Sequence, residues 1–178
     1  LEFRRVLFRS IVDIGDWAIL DACRQASAWL KAGLPRMRIA VNASAQQMRK
    51  GRLLQAVSRA LQETGLPPQD LEIEITESML MGDVQRAQGI LESLKAMGVT
   101  IAIDDFGTGY SSLAYLKRFP IDTLKVDRSF VMECDQSQEA STITRAIVSL
   151  ARSLGLRVVA EGVEKPSQMA IDMPELKE

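Results

Sequence analysis

An α/β fold with a parallel sheet is what the sequence predicts, and two regularities point to it. Amphipathic helices that stop at glycine are followed by short apolar strands and polar loops, repeatedly along the chain. Each of the five strands marked in this way ends in amide, carboxylate or ammonium groups. Strands alternating with helices imply right-handed crossovers between parallel neighbours. The rhythm alone fits an open doubly wound sheet or part of a barrel. No GxGxxG follows the first strand, which counts against a dinucleotide-binding sheet.

Helical spacing begins at Ile14 and runs to Leu30, with Ile19, Ala22, Cys23, Ala26 and Trp29 on one face and Gly33 as the stop. Before it, residues 1–10, LEFRRVLFRS, mix Arg4, Arg5 and Arg9 with bulky apolar residues and match no helix or strand pattern. They lack the layout of a signal peptide and read as a cloning or sequencing scar. RIAVN is a strand ending at Asn42. A helix is expected from Ala45 to Thr64, with Leu54, Val57 and Leu61 inward and Gly65 as the stop. Pro67 and Pro68 make a loop before the strand LEIEITE. The next helix, Asp83 to Met97, carries Ala87, Ile90, Leu91 and Leu94 inward and ends at Gly98. VTIAID is a strand, followed by a glycine-rich loop and a short helix with Leu113 and Leu116. Pro120 breaks the chain, TLKVD is a strand, and Glu139 to Leu154 is a helix ended by Gly155. RVVAE is the last clear strand. The native domain is accordingly placed at residues 11–168, with 169–178 as a divergent or truncated tail.

Composition narrows the chemistry. The 178 residues suit one domain with a sizeable core, and 47% apolar with 25% charged residues is the balance of a globular protein. A net charge of −1 supports neither a nucleic-acid coat nor a polybasic membrane anchor. No stretch is apolar for long enough to cross a bilayer. Cys23 and Cys134 read as a buried, reduced pair, which fits a cytoplasmic setting for this segment, whether or not a parent protein carries a membrane anchor. There is no histidine. That removes Ser-His-Asp and Cys-His nucleophiles and most zinc sites. A metal bound here must be held by oxygen, which points to Mg²⁺, Mn²⁺ or Ca²⁺.

The strand ends carry the functional signal. The first strand ends in Asn42, with Ser44 beyond it. The second holds Glu72 and Glu74 on one face, with Glu77 at its exit. The third ends in Asp104 and Asp105, the fourth holds Lys125 and Asp127, and the fifth ends in Glu161 with Glu164 soon after. Taken singly, each has a structural explanation: Glu72 as a solvated charge, an aspartate as a turn cap, Lys125 as a lysine snorkelling from the core edge. Taken together they form a carboxylate cluster that would repel itself without a cation, at the carboxyl ends of strands where parallel folds build their sites. In DDFGTGYSSL, Phe106 packs under the loop, Gly107 and Gly109 permit tight turns, and Thr108, Tyr110, Ser111 and Ser112 supply hydroxyls and cap the next helix.

VNAS, EITES, DDFGTGYSSL, LKVDRSF and AEGVE occur in this order. The set resembles the EAL domain family of cyclic di-GMP phosphodiesterases, from about Ile14 to Gln168. The resemblance implies a TIM-like (β/α) barrel with one reversed strand. It also implies hydrolysis of cyclic di-GMP to linear pGpG using two Mg²⁺ or Mn²⁺ ions. Asn42, Glu74 and Asp104 would bind the first ion, and Asp104 would bridge to a second held with Asp105 and Glu161. Lys125 would hold the attacking water with Asp127 beside it. Glu77 would steady the DDFGTG loop, and Glu164 would support the site from behind. The partner implied is cyclic di-GMP, and homodimers are common in the family.

Two departures shape the expectation. The Glu-Ala-Leu strand that names the family, whose glutamate is a metal ligand there, is absent, and residues 1–10 stand in its place. The family's closing strand with its QGY-like motif is absent too. A whole barrel takes about 250 residues. The expected fold is therefore an incomplete TIM-like barrel with open edges, weak or inactive by itself. The alternative is a non-catalytic EAL-like receptor that binds cyclic di-GMP and signals through a partner. A scaffold without nucleotide, and an enolase-like proton abstraction around Mg²⁺, are the remaining readings.

Overall fold

The computed structural model describes residues 2–107, 116–134 and 137–169, and the side chains of residues 11–168 within those ranges. The expected roles of Thr108, Tyr110, Ser111 and Ser112, the helical placement of Leu113, and the tail from residue 170 lie outside them.

Helix α1 spans Glu2–Lys31, starting well before the Ile14 expected from periodicity. Residues 2–10 contain no glycine or proline, and arginine and leucine are good helix formers, so the backbone continues through a stretch that lacks a clean apolar face. Val12, Ile19, Cys23 and Ala26 form its buried stripe, while Trp29, expected inward, is exposed at the rim. Gly15 lies in mid-helix, where a Cβ would collide with the fully buried Gln47 side chain.

Strand β1 (Ile39–Asn42) leads into helices α2 (Ala45–Lys50) and α3 (Arg52–Thr64). These replace the single helix expected from Ala45 to Thr64. Gly51 adopts φ 68°, closes α2 by donating to the Gln47 and Met48 carbonyls, and starts α3 in a new direction. Ser44 caps α2 in a reciprocal box with Gln47. Strand β2 (Leu71–Thr76) is followed by the one-turn helix α4 (Glu77–Met81) and by α5 (Val84–Ala96). Next come β3 (Thr100–Phe106), β4 (Thr123–Val126), α6 (Arg128–Glu133), α7 (Gln138–Ser153), β5 (Arg157–Ala160) and the short α8 (Pro166–Met169).

All neighbouring strands pair in parallel, in the order β1-β2-β3-β4-β5. This order decides between the two parallel architectures left open by the helix–strand rhythm. A doubly wound sheet reverses its strand order at a switch point. Here every strand adds beside its predecessor, so right-handed crossovers carry the helices to one side and leave the other face inward, as in a TIM-like barrel. Ile73, Ile75, Ile101, Ile103, Leu124 and Val126 fill the layer between sheet and helices. The alternate positions Glu72, Glu74, Asp104, Thr123 and Lys125 line the inner face. Among the described residues the arc ends at β1 and β5, and Val159 on the inner face of β5 is 40% exposed. No described helix is long and apolar enough to cross a membrane. Cys23 and Cys134 are both buried and unbridged.

Candidate active site

Lys125 stands at the centre of the inner face. Its Nζ lies 2.9 Å from Glu74, 3.2 Å from Asp104 and 2.7 Å from Glu161. β2, β3 and the residue just past β5 therefore deliver three carboxylates to one ammonium on β4. Burial alone would push the lysine pKa down. The hydrogen bonds that its ammonium donates to Glu161, Glu74 and Asp104 together outweigh it, and the net shift is upward. Lys125 is a fixed cation, and the three carboxylates around it leave the group net negative.

Asp104 and Asp105 reach the same place by a backbone irregularity. In a regular strand two successive residues face opposite sides of the sheet. The β3–β4 register shifts between Ile103 and Phe106, and Asp105 adopts φ 54°, a left-handed conformation uncommon for a non-glycine residue. Ile103 and Phe106 both stay buried, so the bulge inserts its two aspartates on the way out of the strand. The Asp105 N–H donates to Asp104 Oδ1 at 3.1 Å. Asp104, Asp105 and Glu161 each offer an oxygen within 4.8 Å of the others. Desolvation raises the pKa of Asp105, helped by the charges of Asp104, Asp127 and Glu161. Asp127 shifts the other way, chiefly through hydrogen bonds donated by the Ser129 hydroxyl and N–H. In this position it also caps α6.

Asn42 ends β1 directly beside Glu74 in the register and is exposed. Glu77 is buried at the start of α4 and accepts a hydrogen bond from the Gly107 N–H at 3.1 Å. Its other oxygen, Oε1, has no partner among the described residues. Gly107, at φ 102°, passes so close to Phe130 that a Cβ would come within 2.8 Å of the ring. Glu164 lies apart from the carboxylate cluster, 61% exposed and paired with Arg128 at 3.0 Å.

One strand-end residue behaves unlike its sequence expectation. Glu72 is not a solvated charge: its side chain is 12% exposed, close to Arg38 and Arg157, and accepts from the Thr123 hydroxyl. It forms a lower polar layer beneath Glu74 on the same face. Its period-two spacing from Glu74 is the one sequence signal for this. Arg128, which ties the turn after β5 to the start of α6, lies in the LKVDRSF motif, but nothing in the sequence assigns it a role.

The donor set suits a hard divalent cation. Asp104, Asp105 and Glu161 offer carboxylate oxygens near one another, with Glu74 beside them on Lys125, so carboxylates exceed the ammonium in this cluster. A cation there would offset both the desolvation and the neighbouring negative charges that raise the Asp105 pKa.

Comparison with known proteins agrees with this geometry. The cyclic di-GMP phosphodiesterase NbdA of Pseudomonas aeruginosa is 47% identical over 160 residues, covering 90% of this chain and 20% of NbdA. The chain thus spans about a fifth of that curated relative. The solved PaMucR phosphodiesterase in complex with c-di-GMP superposes with a TM-score of 0.88 at 46% identity, covering 96% of this chain and 70% of that one. The Klebsiella pneumoniae BlrP1 manganese/cyclic di-GMP complex superposes with a TM-score of 0.71 at 28% identity, covering 92% of this chain and 40% of that one. A family model described as the EAL domain matches residues 7–172, and the chain belongs to that family.

Proposed function

We propose that this segment carries the catalytic core of a metal-dependent phosphodiesterase that hydrolyses cyclic di-GMP to linear pGpG. The observation that carries the reading is the convergence of Glu74, Asp104 and Glu161 around Lys125, with Asp105 beside Asp104 and Glu161, at the carboxyl ends of consecutive strands. The relatives named above for cyclic di-GMP hydrolysis or solved with that nucleotide support it.

Two Mg²⁺ or Mn²⁺ ions are proposed, one held by Asn42, Glu74 and Asp104, the other by Asp104, Asp105 and Glu161. When bound, such ions neutralise phosphoryl charge, activate water and stabilise the leaving oxygen of an in-line displacement. The chain's own residues do the rest. Lys125, held by its carboxylate neighbours, orients the attacking water and meets the negative charge that grows on the phosphoryl oxygens. Asp127, anchored by Ser129, keeps its carboxylate beside Asp105. Glu77 pins the backbone at Gly107, just past the two aspartates. Glu164 acts on the turn that follows Glu161 rather than on the reacting atoms.

The β1 and β5 edges, unpaired among the described residues, favour slow turnover by the isolated chain. Chromatography of cyclic di-GMP incubated with the purified chain and Mn²⁺ tests the reading. The expected result is Mn²⁺-dependent appearance of pGpG, slow but above the enzyme-free control and lost in Asp104→Asn. Binding of cyclic di-GMP without turnover would replace it with the receptor reading. Absence of binding with metal present would leave a scaffold.

A further inference from the structure

Arg128 opens α6, one position past Asp127 and three past Lys125. Its Nε lies 3.1 Å from Met132 Sδ, and Nη2 donates to Glu164 at 3.0 Å. Its aliphatic stem lies across Gly162, where a Cβ would come within 2.5 Å of Arg128 Cγ. Gly162 also adopts φ 71°. Conformation and close approach both demand glycine there.

On the near side of that glycine, Glu161 reaches Lys125 at 2.7 Å, and its N–H donates to the Val126 carbonyl at 3.2 Å. On the far side, the N–H groups of Glu164 and Lys165 donate to Gln168 Oε1 at 2.7 and 2.9 Å, and Gln168 is buried. One turn, residues 161–164, is thus fastened to one segment, residues 125–128, at both ends. The Arg128–Glu164 pair is 57% and 61% exposed. Exposed pairs of this kind add little to stability and are screened by salt. What it contributes is a geometric link between the turn after β5 and the start of α6.

We propose that Arg128 is a positioning residue for Glu161. Through its stem on Gly162 and its ion pair with Glu164, it aims the Glu161 carboxylate at Lys125 and the Asp104–Asp105 pair. The proposal rests on the divalent-cation reading of this site and extends it to a residue outside the donor set.

Mn²⁺ binding to the chain, followed by the electron paramagnetic resonance of the free ion, tests it without requiring turnover. Arg128→Ala is expected to weaken Mn²⁺ binding ~10-fold or more, the size typical when a partner that orients a metal ligand is removed, with the melting temperature of the metal-free protein nearly unchanged. Glu164→Gln, a surface change, is expected to show a smaller loss in the same direction. Arg128→Lys, which keeps a stem and a cation, is expected to recover part of the affinity. The Arg128→Ala, Glu164→Gln double variant is expected to lose no more than Arg128→Ala alone. Unchanged Mn²⁺ affinity in Arg128→Ala would overturn the proposal, as would losses that track a fall in melting temperature. Wild-type binding of Mn²⁺ without hydrolysis would defeat the phosphodiesterase reading and leave the Arg128 comparison intact. Absence of wild-type Mn²⁺ binding would overturn both.

Discussion

Removing the Lys125 ammonium would leave Glu74, Asp104 and Glu161 facing one another with no cation between them. Taking one partner out of a largely buried charge cluster is costly, about 3–5 kcal/mol where burial is complete and less here because Glu161 is partly exposed. Lys125→Met is therefore expected to lower the melting temperature in EDTA, and Mn²⁺ is expected to restore part of the loss by supplying the missing positive charge. A metal-free melting temperature equal to wild type would contradict the charge balance described for the site. Asp105 is the opposite case. It sits in a left-handed backbone beside like charges. Asp105→Asn keeps a residue tolerant of that backbone and removes the repulsion. It is expected to raise metal-free stability while weakening Mn²⁺ binding, and differential scanning calorimetry with and without the ion would show the two effects with opposite sign. Cys23 offers a check on packing away from the site: burial pushes its thiol up to about 11. At pH 8 the thiolate is then a small minority, so labelling by a thiol-directed disulfide reagent should be slow in the native protein and rapid in denaturant. Glu74, Asp104, Lys125 and Glu161 were legible as a group because each lies at or near the carboxyl end of a strand. Asp105 was named with them, but not the backbone that makes it converge, since strict alternation would send it away from Asp104.

At the scale of elements, the β3 bulge is the device that makes two adjacent aspartates converge. Hydrophobic periodicity reports which residues are buried, and Ile103 and Phe106 both are, so the pattern carries a hint of the irregularity but not its geometry. The expected helix from Ala45 to Thr64 fails for a comparable reason. A glycine inside a helical pattern is usually tolerated, whereas Gly51 here takes φ 68° and splits the segment into α2 and α3. Gly51→Ala is expected to destabilise the protein by about 1 kcal/mol, the ordinary cost of a side chain in left-handed backbone, measured as a shift in the urea midpoint at constant slope. No shift would mean that the break between α2 and α3 does not depend on glycine. Helices α4 and α6, five and six residues long, escaped notice because neither completes two turns, too little for a period to register. Both sit directly after strands, where α4 carries Glu77 to the Gly107 N–H and α6 is capped by Asp127.

For the whole molecule, the strand order fixes the architecture that composition and rhythm leave open. Consecutive parallel strands β1 to β5 curve one polar face inward, and the site is the upper layer of that face. The barrel itself was accessible from sequence only through the EAL resemblance, because strand order is a long-range property that no local pattern encodes. The arc has two open edges among the described residues, while the solved PaMucR phosphodiesterase, of which this chain covers 70%, offers a frame that matches it with a TM-score of 0.88. The most direct test of the central claim is cyclic di-GMP hydrolysis by a chimaera in which residues 11–168 replace the matching segment of that phosphodiesterase. The account predicts Mn²⁺-dependent formation of pGpG, reduced at least ~100-fold by Asp104→Asn within the transplanted segment, in line with the loss expected when a metal site is disabled. A folded chimaera that binds cyclic di-GMP and does not cut it, or one that cuts it equally well with Asn at position 104, would contradict it.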